Sequence, residues 1–253
     1  MSGKRFKLVP EMEGRVARWY ARQRGTASQI EAWRRQASEL TDGLPNGATV
    51  LEVAPGPGYL ASEIARLGRF KVIGLDVSRT FVDIASAHAR ENGVDVEFRH
   101  GDVARMPFES GCFDLIICQA AFKNFAEPLR ALDEMHRVLR AGGTAIIEDL
   151  NRDASNAEID QGVRGQRLSG FNAFLTRFVL RTMLRRRAYT PAQLRDLVRE
   201  SAFRTGDIRT QGIGVEVRLK KAGVNEALPY IPRWHHPAAT RQPSTAARPA
   251  AES

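Results

Sequence analysis

Short apolar runs alternate with segments of helical periodicity through the middle of the chain. The runs contain β-branched residues and stay apolar without alternating, which is typical of strands whose two faces are both covered. They lie at 48–53, 71–76, 95–99, 113–118 and 144–149. The segments with apolar residues at helical spacing lie at 59–67, 80–92 and 127–140. This order predicts an α/β fold with a doubly wound, Rossmann-like sheet that is mostly parallel.

A different pattern begins at Thr190. Thr190 is a good N-cap and Pro191 suits the first helical position, so a helix is predicted over 191–201. Strands are predicted at 203–209 and 213–220. The turn between them is too short for the crossover that parallel neighbours require. The sheet is therefore expected to end in an antiparallel edge hairpin.

The predicted elements suit one domain, since a chain of 253 residues is short for two independent cores. The domain is expected to span 46–221, with a helical insertion at 154–187. Residues 1–45 look helical and basic, and they are predicted to form a lid segment. The stretch 222–253 is rich in Pro, Ala, Ser and Arg and is predicted to be disordered.

The net charge of +9 is unevenly distributed. Residues 1–35 and 161–195 are the two basic segments, and the second contains arginines but no acid. Such a field attracts nucleic acid, an anionic membrane surface or an acidic substrate, and by itself it identifies none of them.

Membrane, disulfide and metal patterns are weak in this sequence. No apolar stretch reaches the roughly 18 residues of a membrane span, and no apolar signal core follows the basic start, so we expect a cytoplasmic protein. Cys112 and Cys118 are interpreted as reduced thiols. The run Trp234-His235-His236 lacks a carboxylate or Cys partner, and no metal site is predicted.

The run at 50–61 has the pattern of a strand, a glycine-rich turn and the start of a helix. Gly56 and Gly58 let the backbone approach a ligand closely, and the helix N-terminus offers unpaired N–H groups to an anion. The carboxylate of S-adenosylmethionine fits this description. The letters Gly56-x-Gly58-x-x-Ala61, followed by Asp76, fit a dinucleotide such as NAD as well. This motif alone leaves both cofactors open.

Acidic residues at two further strand ends separate these cofactors. Asp76 suits the two hydroxyls of an adenosine ribose; its alternative role is a helix N-cap, for which Ser78 is already available. Asp102 can accept from the adenine amine while the Val103 N–H donates to a ring nitrogen, an arrangement that dinucleotide enzymes do not require. The chain also lacks the pattern of a second mononucleotide-binding half. S-adenosylmethionine is therefore favoured over NAD.

With these motifs in order, the chain resembles the class I S-adenosylmethionine-dependent methyltransferases, in the broad group similar to ubiquinone and menaquinone biosynthesis methyltransferases. The resemblance extends over about 50–220. Its matching stretches are 50–61, 74–77, 101–108, 113–125 and 137–149. It implies S-adenosyl-L-methionine as the cofactor. It also implies that Glu52 orients the turn and reaches the methionine end of the cofactor. The full set of expected cofactor-binding residues is Glu52, Ala54, Gly56, Gly58, Asp76, Val77, Asp102, Val103, Gln119 and Tyr20.

The glycine-rich turn departs from the family at its first small residue. The family usually has Gly where this chain has Ala54, and Pro55 and Pro57 follow. Because Ala favours negative φ, the loop is expected to take a slightly different and stiffer path.

The acceptor is expected beyond the carboxyl ends of the strands, between walls at 119–125 and 149–153. Lys123 or Asn124 is a candidate to orient a substrate oxygen, with capping or solvent exposure as the alternatives. Tyr20 is a candidate lid residue. The run at 171–187 predicts an amphipathic helix with an aromatic face and a basic face. It suits a lid over an apolar acceptor or peripheral contact with an anionic membrane, and a helix packed on the core with its arginines in solvent is the alternative.

The resemblance implies an enzyme that methylates a small, apolar molecule. No catalytic residue is assigned, since methyl transfer from a sulfonium needs no universal base; His100, Asp149 and Tyr20 are candidates only if geometry places them near the acceptor. RNA methylation is a second hypothesis. Nucleic acid is not the expected partner, because 118–121 read Cys-Gln-Ala-Ala in place of the Asn/Asp-Pro-Pro-aromatic signature of many base-methylating enzymes. A non-catalytic S-adenosylmethionine-binding protein is a third. The oligomeric state stays open.

Overall fold

The computed structural model describes residues 12–165 and 187–223. The predicted amphipathic helix at 171–187 lies outside these residues except for Arg187, as do the His235-His236 pair and the predicted disordered tail after Gly223. The proposed division into lid segment, domain and tail stays a prediction.

Helices and strands alternate as the apolar pattern predicts. The helices are α1 (Gly14–Arg24), α2 (Ala27–Leu40), α3 (Tyr59–Arg66), α4 (Arg79–Glu91), α5 (Pro128–Val138), α6 (Asn156–Gly165) and α7 (Pro191–Glu200). The strands are β1 (Thr49–Val53), β2 (Lys71–Asp76), β3 (Val96–His100), β4 (Phe113–Gln119), β5 (Leu139–Leu150), β6 (Asp207–Gln211) and β7 (Gly214–Lys220). Among the described residues, no helix has both the length and the apolar character needed to cross a membrane.

The strands form one seven-stranded sheet in the order β3-β2-β1-β4-β5-β7-β6. The first five are parallel, and β7 runs antiparallel to both β5 and β6. This confirms the doubly wound sheet and the antiparallel hairpin at its edge. The strand order reverses between β1 and β4, which is where open α/β sheets form a ligand crevice.

Both faces of the sheet are packed with apolar side chains. In β1, Leu51 and Val53 belong to one cluster with α5, whereas Val50 belongs to a second with α2 and α3. Strands covered on both sides lose their polar alternation, which is why the apolar runs predicted them. The basic N-terminal segment contributes to this packing, since Ala37 of α2 is fully buried.

Two boundaries differ from the sequence prediction. Helix α5 ends at Val138, and Gly142 lies inside β5, where its N–H donates to the Lys221 carbonyl at 2.9 Å. The predicted helical segment at 127–140 therefore ends two residues early, and β5 begins well before the predicted residue 144. Strand β6 begins at Asp207 because Phe203 turns into the core, at 6% exposure, and Arg204 adopts a left-handed φ of 63° that interrupts an extended chain.

Candidate cofactor and acceptor site

The predicted acids lie at the carboxyl edge of the sheet. Glu52 of β1 pairs in register with Gly74 of β2 and Ile117 of β4, and Asp76 ends β2. Parallel strands bring their carboxyl ends to one edge, so these side chains and the loops that follow them share a crevice.

The loop after β1 takes a left-handed path at three positions. Ala54, Gly56 and Gly58 have φ values of 53°, 54° and 75°. The Ala54 N–H donates to the Leu75 carbonyl at 2.8 Å, and the Gly58 N–H donates to the Pro55 carbonyl at 3.0 Å. The expectation of a negative φ at Ala54 was therefore wrong. The hydrogen bond to Leu75 helps to hold Ala54 in a conformation that costs an L-residue about 1–2 kcal/mol.

The two glycines of this loop have different surroundings. A Cβ on Gly56 would meet nothing within 4 Å, whereas a Cβ on Gly58 would lie 2.6 Å from Phe98 Cζ and 2.8 Å from the Ala85 Cβ. Gly56 therefore leaves open space beside the loop. Gly58 lets α3 begin in close contact with β3 and α4.

Asp76 ties the end of β2 to the glycine loop. Its Oδ1 accepts from the Ser78 N–H at 2.9 Å, and its Oδ2 accepts from the Gly56 N–H at 3.0 Å. Burial raises its pKa to about 6 despite these hydrogen bonds. Ser78 caps α4 by accepting from the Phe81 N–H, as predicted, so Asp76 is not the N-cap. Each carboxylate oxygen keeps a lone pair for a further donor.

Glu52 is the acid with an unused buried oxygen. It is 5% exposed, and its Oε2 has no hydrogen-bond partner. Burial raises its pKa to about 8; the Ala61 N–H lowers the pKa, and the nearby Asp76 charge raises it. An unpaired buried carboxylate oxygen is costly, so it marks a place for a donor or a cation that the protein itself does not supply.

Asp102 and Val103 form a short turn after β3. The Asp102 side chain is 46% exposed, and its Oδ1 accepts from the Ala104 N–H at 2.9 Å, so it caps the 3-10 turn Val103–Arg105. Its Oδ2 lies 3.9 Å from an Arg105 nitrogen. The Val77 carbonyl already accepts a hydrogen bond from His100 Nε2 at 3.1 Å.

Gln119 points to a carboxylate that the sequence analysis missed. Its Nε2 donates to Glu148 Oε2 at 2.6 Å, and Gln36 Nε2 of α2 donates to the same oxygen at 2.8 Å. Burial raises the pKa of Glu148. The signal for it was two adjacent acids, Glu148-Asp149, closing an otherwise apolar strand.

Lys123 and Asp149 form a buried ion pair between the two predicted walls of the acceptor site, 119–125 and 149–153. Lys123 Nζ lies 2.7 Å from Asp149 Oδ1, and the two side chains are 5% and 7% exposed. Asp149 Oδ2 accepts from the Lys123 N–H at 2.8 Å, and Nζ also donates to the Ala120 carbonyl. Neither group is available as the sequence analysis envisaged, because Lys123 faces inward and Asp149 already has its partner.

Helix α1 lies across the starts of α3 and α4. At one end, the Gly14 N–H donates to Thr80 Oγ1 at 3.0 Å, and at the other the Tyr59 hydroxyl donates to the Ala21 carbonyl at 2.9 Å. Tyr20 packs edge-on against Phe81 of α4, with ring centroids 6.0 Å apart. The structure thus brings α1 to the segments that follow β1 and β2, with Tyr20 on the α4 side.

Glu13 caps α4 together with Ser78. The Ser78 cap was predicted from the sequence, but the Glu13 cap was not. Its Oε1 accepts from the Arg79 N–H at 2.9 Å, and its Oε2 accepts from the Thr80 N–H at 3.1 Å. The Glu13 charge raises the pKa of Asp76 further. Nothing local predicts a cap that comes from 66 residues away.

Comparison with known proteins extends the resemblance. A family model described as a methyltransferase domain matches residues 51–147. A demethylmenaquinone methyltransferase from Deinococcus radiodurans is 33% identical over 125 residues, 49% of this chain and 51% of that protein. A ubiquinone biosynthesis O-methyltransferase from a Ruegeria species is 29% identical over 113 residues, 45% of each chain. The chain therefore spans about half the length of these relatives.

Solved structures share the fold at low identity. A SAM-dependent methyltransferase from Aquifex aeolicus superposes with a TM-score of 0.61 at 19% identity, covering 80% of this chain and 97% of that one. A [4+2]-cyclase superposes with a TM-score of 0.52 at 20% identity, covering 79% and 84%. The solved structures thus share the fold of this chain, and the stretch 51–147 is similar to a methyltransferase domain, as found also in proteins of menaquinone and ubiquinone biosynthesis.

Proposed function

We propose that the protein transfers a methyl group from S-adenosylmethionine to a small, apolar acceptor of the quinone type. The observation that carries the proposal is the buried Glu52, whose Oε2 has no partner beside a glycine loop and the Asp76 carboxylate. S-adenosylmethionine supplies cations for such an acid and ribose hydroxyls for Asp76. When bound, it also supplies an electrophilic methyl group on a sulfonium, which is a good leaving group.

Each binding residue has a proposed task that follows from its chemistry. Glu52 accepts from the ammonium of the methionine part, and Asp76 accepts from the ribose hydroxyls through its remaining lone pairs. Asp102 accepts from the adenine amine, and the Val103 N–H donates to the ring. The other residues proposed to contact the cofactor are Ala54, Gly56, Gly58, Val77, Gln119 and Tyr20.

The acceptor side of the site is proposed to work by alignment and exclusion of water. The carboxyl end of β5 meets mostly apolar side chains, and Phe122 and Tyr189 pack against each other there with ring centroids 5.7 Å apart. The Lys123–Asp149 pair holds the turn at 120–123, and we assign neither residue as a base. The relatives include a demethylmenaquinone methyltransferase and a ubiquinone biosynthesis O-methyltransferase, which supports an apolar acceptor.

Two other functions give different experimental results. The fold alone does not fix the reaction, because a cyclase shares it. A protein that binds the cofactor without turnover would release no methyl group, and an RNA methyltransferase would label nucleic acid.

The deciding experiment incubates the full chain and labelled S-adenosylmethionine with a small-molecule extract, with and without nuclease. We expect label in an organic-soluble product that nuclease does not affect. Label that nuclease destroys would replace the acceptor class with RNA. Absence of any labelled product, together with binding of S-adenosylhomocysteine, would favour the non-catalytic protein.

A separate prediction concerns the proton on Glu52. With a pKa of about 8, this carboxyl is mostly protonated at pH 7 in the free protein, whereas a cation beside it favours the carboxylate. Binding of S-adenosylhomocysteine should therefore release about one proton at pH 7. Affinity should rise about tenfold per pH unit from about 6, where Asp76 is already half ionised, to about 8, and level off above that.

Calorimetry in buffers of different ionisation enthalpy measures this proton. Glu52→Gln should abolish both the release and the slope, and at pH 8 it should weaken binding by about 1.5–3 kcal/mol, the value of a hydrogen bond to a charged group. Glu216→Gln is the control, because that carboxyl pairs with Arg218 on β7, on the other side of the sheet from β1, β2 and β3. A slope that survives in Glu52→Gln, or binding of NAD in place of S-adenosylhomocysteine, would contradict the assignment.

A further inference from the structure

The outward side of α1 exposes apolar side chains. Met12, Val16 and Trp19 are 37%, 57% and 62% exposed, and within residues 12–165 and 187–223 they are the large apolar side chains that stand in solvent. All three lie in one short segment. Exposed apolar groups scattered singly need no explanation, but a cluster of them indicates a surface that another body covers.

Basic side chains share this side of the helix. Arg15, Arg18 and Arg22 are exposed, whereas Ala17 and Ala21 are buried against the domain. Spacings of three and four residues bring side chains together on one side of a helix. Helix α1 contains no acid, so positive charge surrounds the apolar cluster.

The neighbourhood does not cancel this charge. Glu13, the acid that precedes α1, is turned toward the start of α4, where it accepts from two backbone N–H groups. The sequence before it contains one further acid, Glu11, against three basic residues, Lys4, Arg5 and Lys7. The surface is therefore both apolar and strongly cationic.

The same helix lies over the cofactor edge of the sheet, since its two ends bond to the first turns of α3 and α4. A surface that binds the outward side of α1 thereby faces the edge where the proposed reaction takes place. This position matters for an acceptor that dissolves in lipid, because it can reach the enzyme without crossing bulk water.

We propose that the α1 face, formed by Met12, Arg15, Val16, Arg18, Trp19 and Arg22, docks on the surface of an anionic lipid bilayer. Its role in acceptor delivery rests on the proposed function. An aromatic and aliphatic cluster ringed by arginines matches a membrane interface, where Trp and aliphatic groups enter the acyl boundary and arginines pair with anionic headgroups. A nucleic acid would pair with the arginines and the Trp19 ring, but Met12 and Val16 would gain little from it.

Sedimentation with vesicles of phosphatidylcholine, with and without phosphatidylserine, tests the proposal on the full chain. We expect binding that requires phosphatidylserine and weakens as salt is raised. Arg15→Gln, Arg18→Gln and Arg22→Gln together should weaken it roughly 100-fold, since each basic residue near an anionic surface contributes about fivefold. Val16→Ser with Trp19→Ser should weaken it by about tenfold or more.

The control removes the same charge elsewhere. Arg195, Arg199 and Arg209 are exposed on α7 and β6, and β6 is the sheet edge opposite the strands that α1 covers. Changing these three to Gln should leave most of the vesicle binding. Equal loss in both triple variants would mean that net charge alone drives binding, and it would overturn the α1 face.

Two further results separate this proposal from its rivals and from the proposed function. If vesicles do not bind while a single-stranded RNA binds and the first triple variant loses it, the face is a nucleic-acid surface and the lipid proposal is wrong. The vesicle assay contains no methyl donor, and each variant should bind S-adenosylhomocysteine as the wild type does. Vesicle binding by a protein that binds no S-adenosylhomocysteine would support the α1 face and refute the proposed function.

Discussion

Gly58→Ala is expected to lower the free energy of unfolding by about 2–5 kcal/mol. The residue has a φ of 75°, a conformation that costs an L-residue about 1–2 kcal/mol. The added Cβ would also lie 2.6 Å from Phe98 Cζ and 2.8 Å from the Ala85 Cβ, and overpacking of this kind typically costs about 1–3 kcal/mol. Urea unfolding followed by circular dichroism measures the change.

Gly56→Ala is the matched control, because it has a φ of 54° but nothing within 4 Å of an added Cβ. It should lose about 1–2 kcal/mol, from the backbone alone. Phe98→Leu in the Gly58→Ala background should recover part of the larger loss by removing the ring that the Cβ meets. Equal losses at the two glycines, or no recovery, would show that close packing at the start of α3 is not what requires Gly58.

Lys123→Met is expected to destabilise the protein by about 3–5 kcal/mol, because it leaves Asp149 buried without a counter-charge. The variant also loses the donor to the Ala120 carbonyl, at a residue whose φ is 53°. Urea unfolding followed by circular dichroism measures the loss.

The double variant Lys123→Met with Asp149→Leu tests the cause. Replacing a buried ion pair by apolar groups of similar volume is often nearly neutral, so the double variant should be clearly more stable than Lys123→Met alone. If the two variants are equally unstable, the ion pair is not the source of the loss, and the shape of the turn at 120–123 is.

The fold was predictable from local pattern because burial is two-sided. Strands β1, β2 and β4 are covered on both faces, which leaves continuous apolar runs in the sequence. The start of β5 was not predictable, because Arg140 to Gly142 near its beginning are all exposed and show no alternation of buried and exposed side chains. Their strand conformation comes from pairing with Lys221, a contact between distant parts of the chain.

The candidate site was predictable to the same extent. Acids at the ends of parallel strands meet at one edge, so Glu52 and Asp76 could be placed beside each other from their positions alone. The partners of Glu148 could not be predicted, because the hydrogen bond that it accepts from Gln36 joins residues 112 apart in sequence. The backbone at Ala54 was mispredicted because residue type gives only a preference for φ, while Ala54 is held here by a tertiary hydrogen bond from its N–H to the Leu75 carbonyl.

The order of the last two strands has a consequence for synthesis on the ribosome. Strand β7, which comes last of the described strands in sequence, fills the place between β5 and β6. Until residues 214–220 leave the exit tunnel, β5 presents an unpaired edge with buried-type residues such as Ile146 and Ile147, and an open apolar edge is prone to pair with other chains. The nascent protein therefore needs the β5 edge to be kept from pairing with other chains until the β6–β7 hairpin has been made.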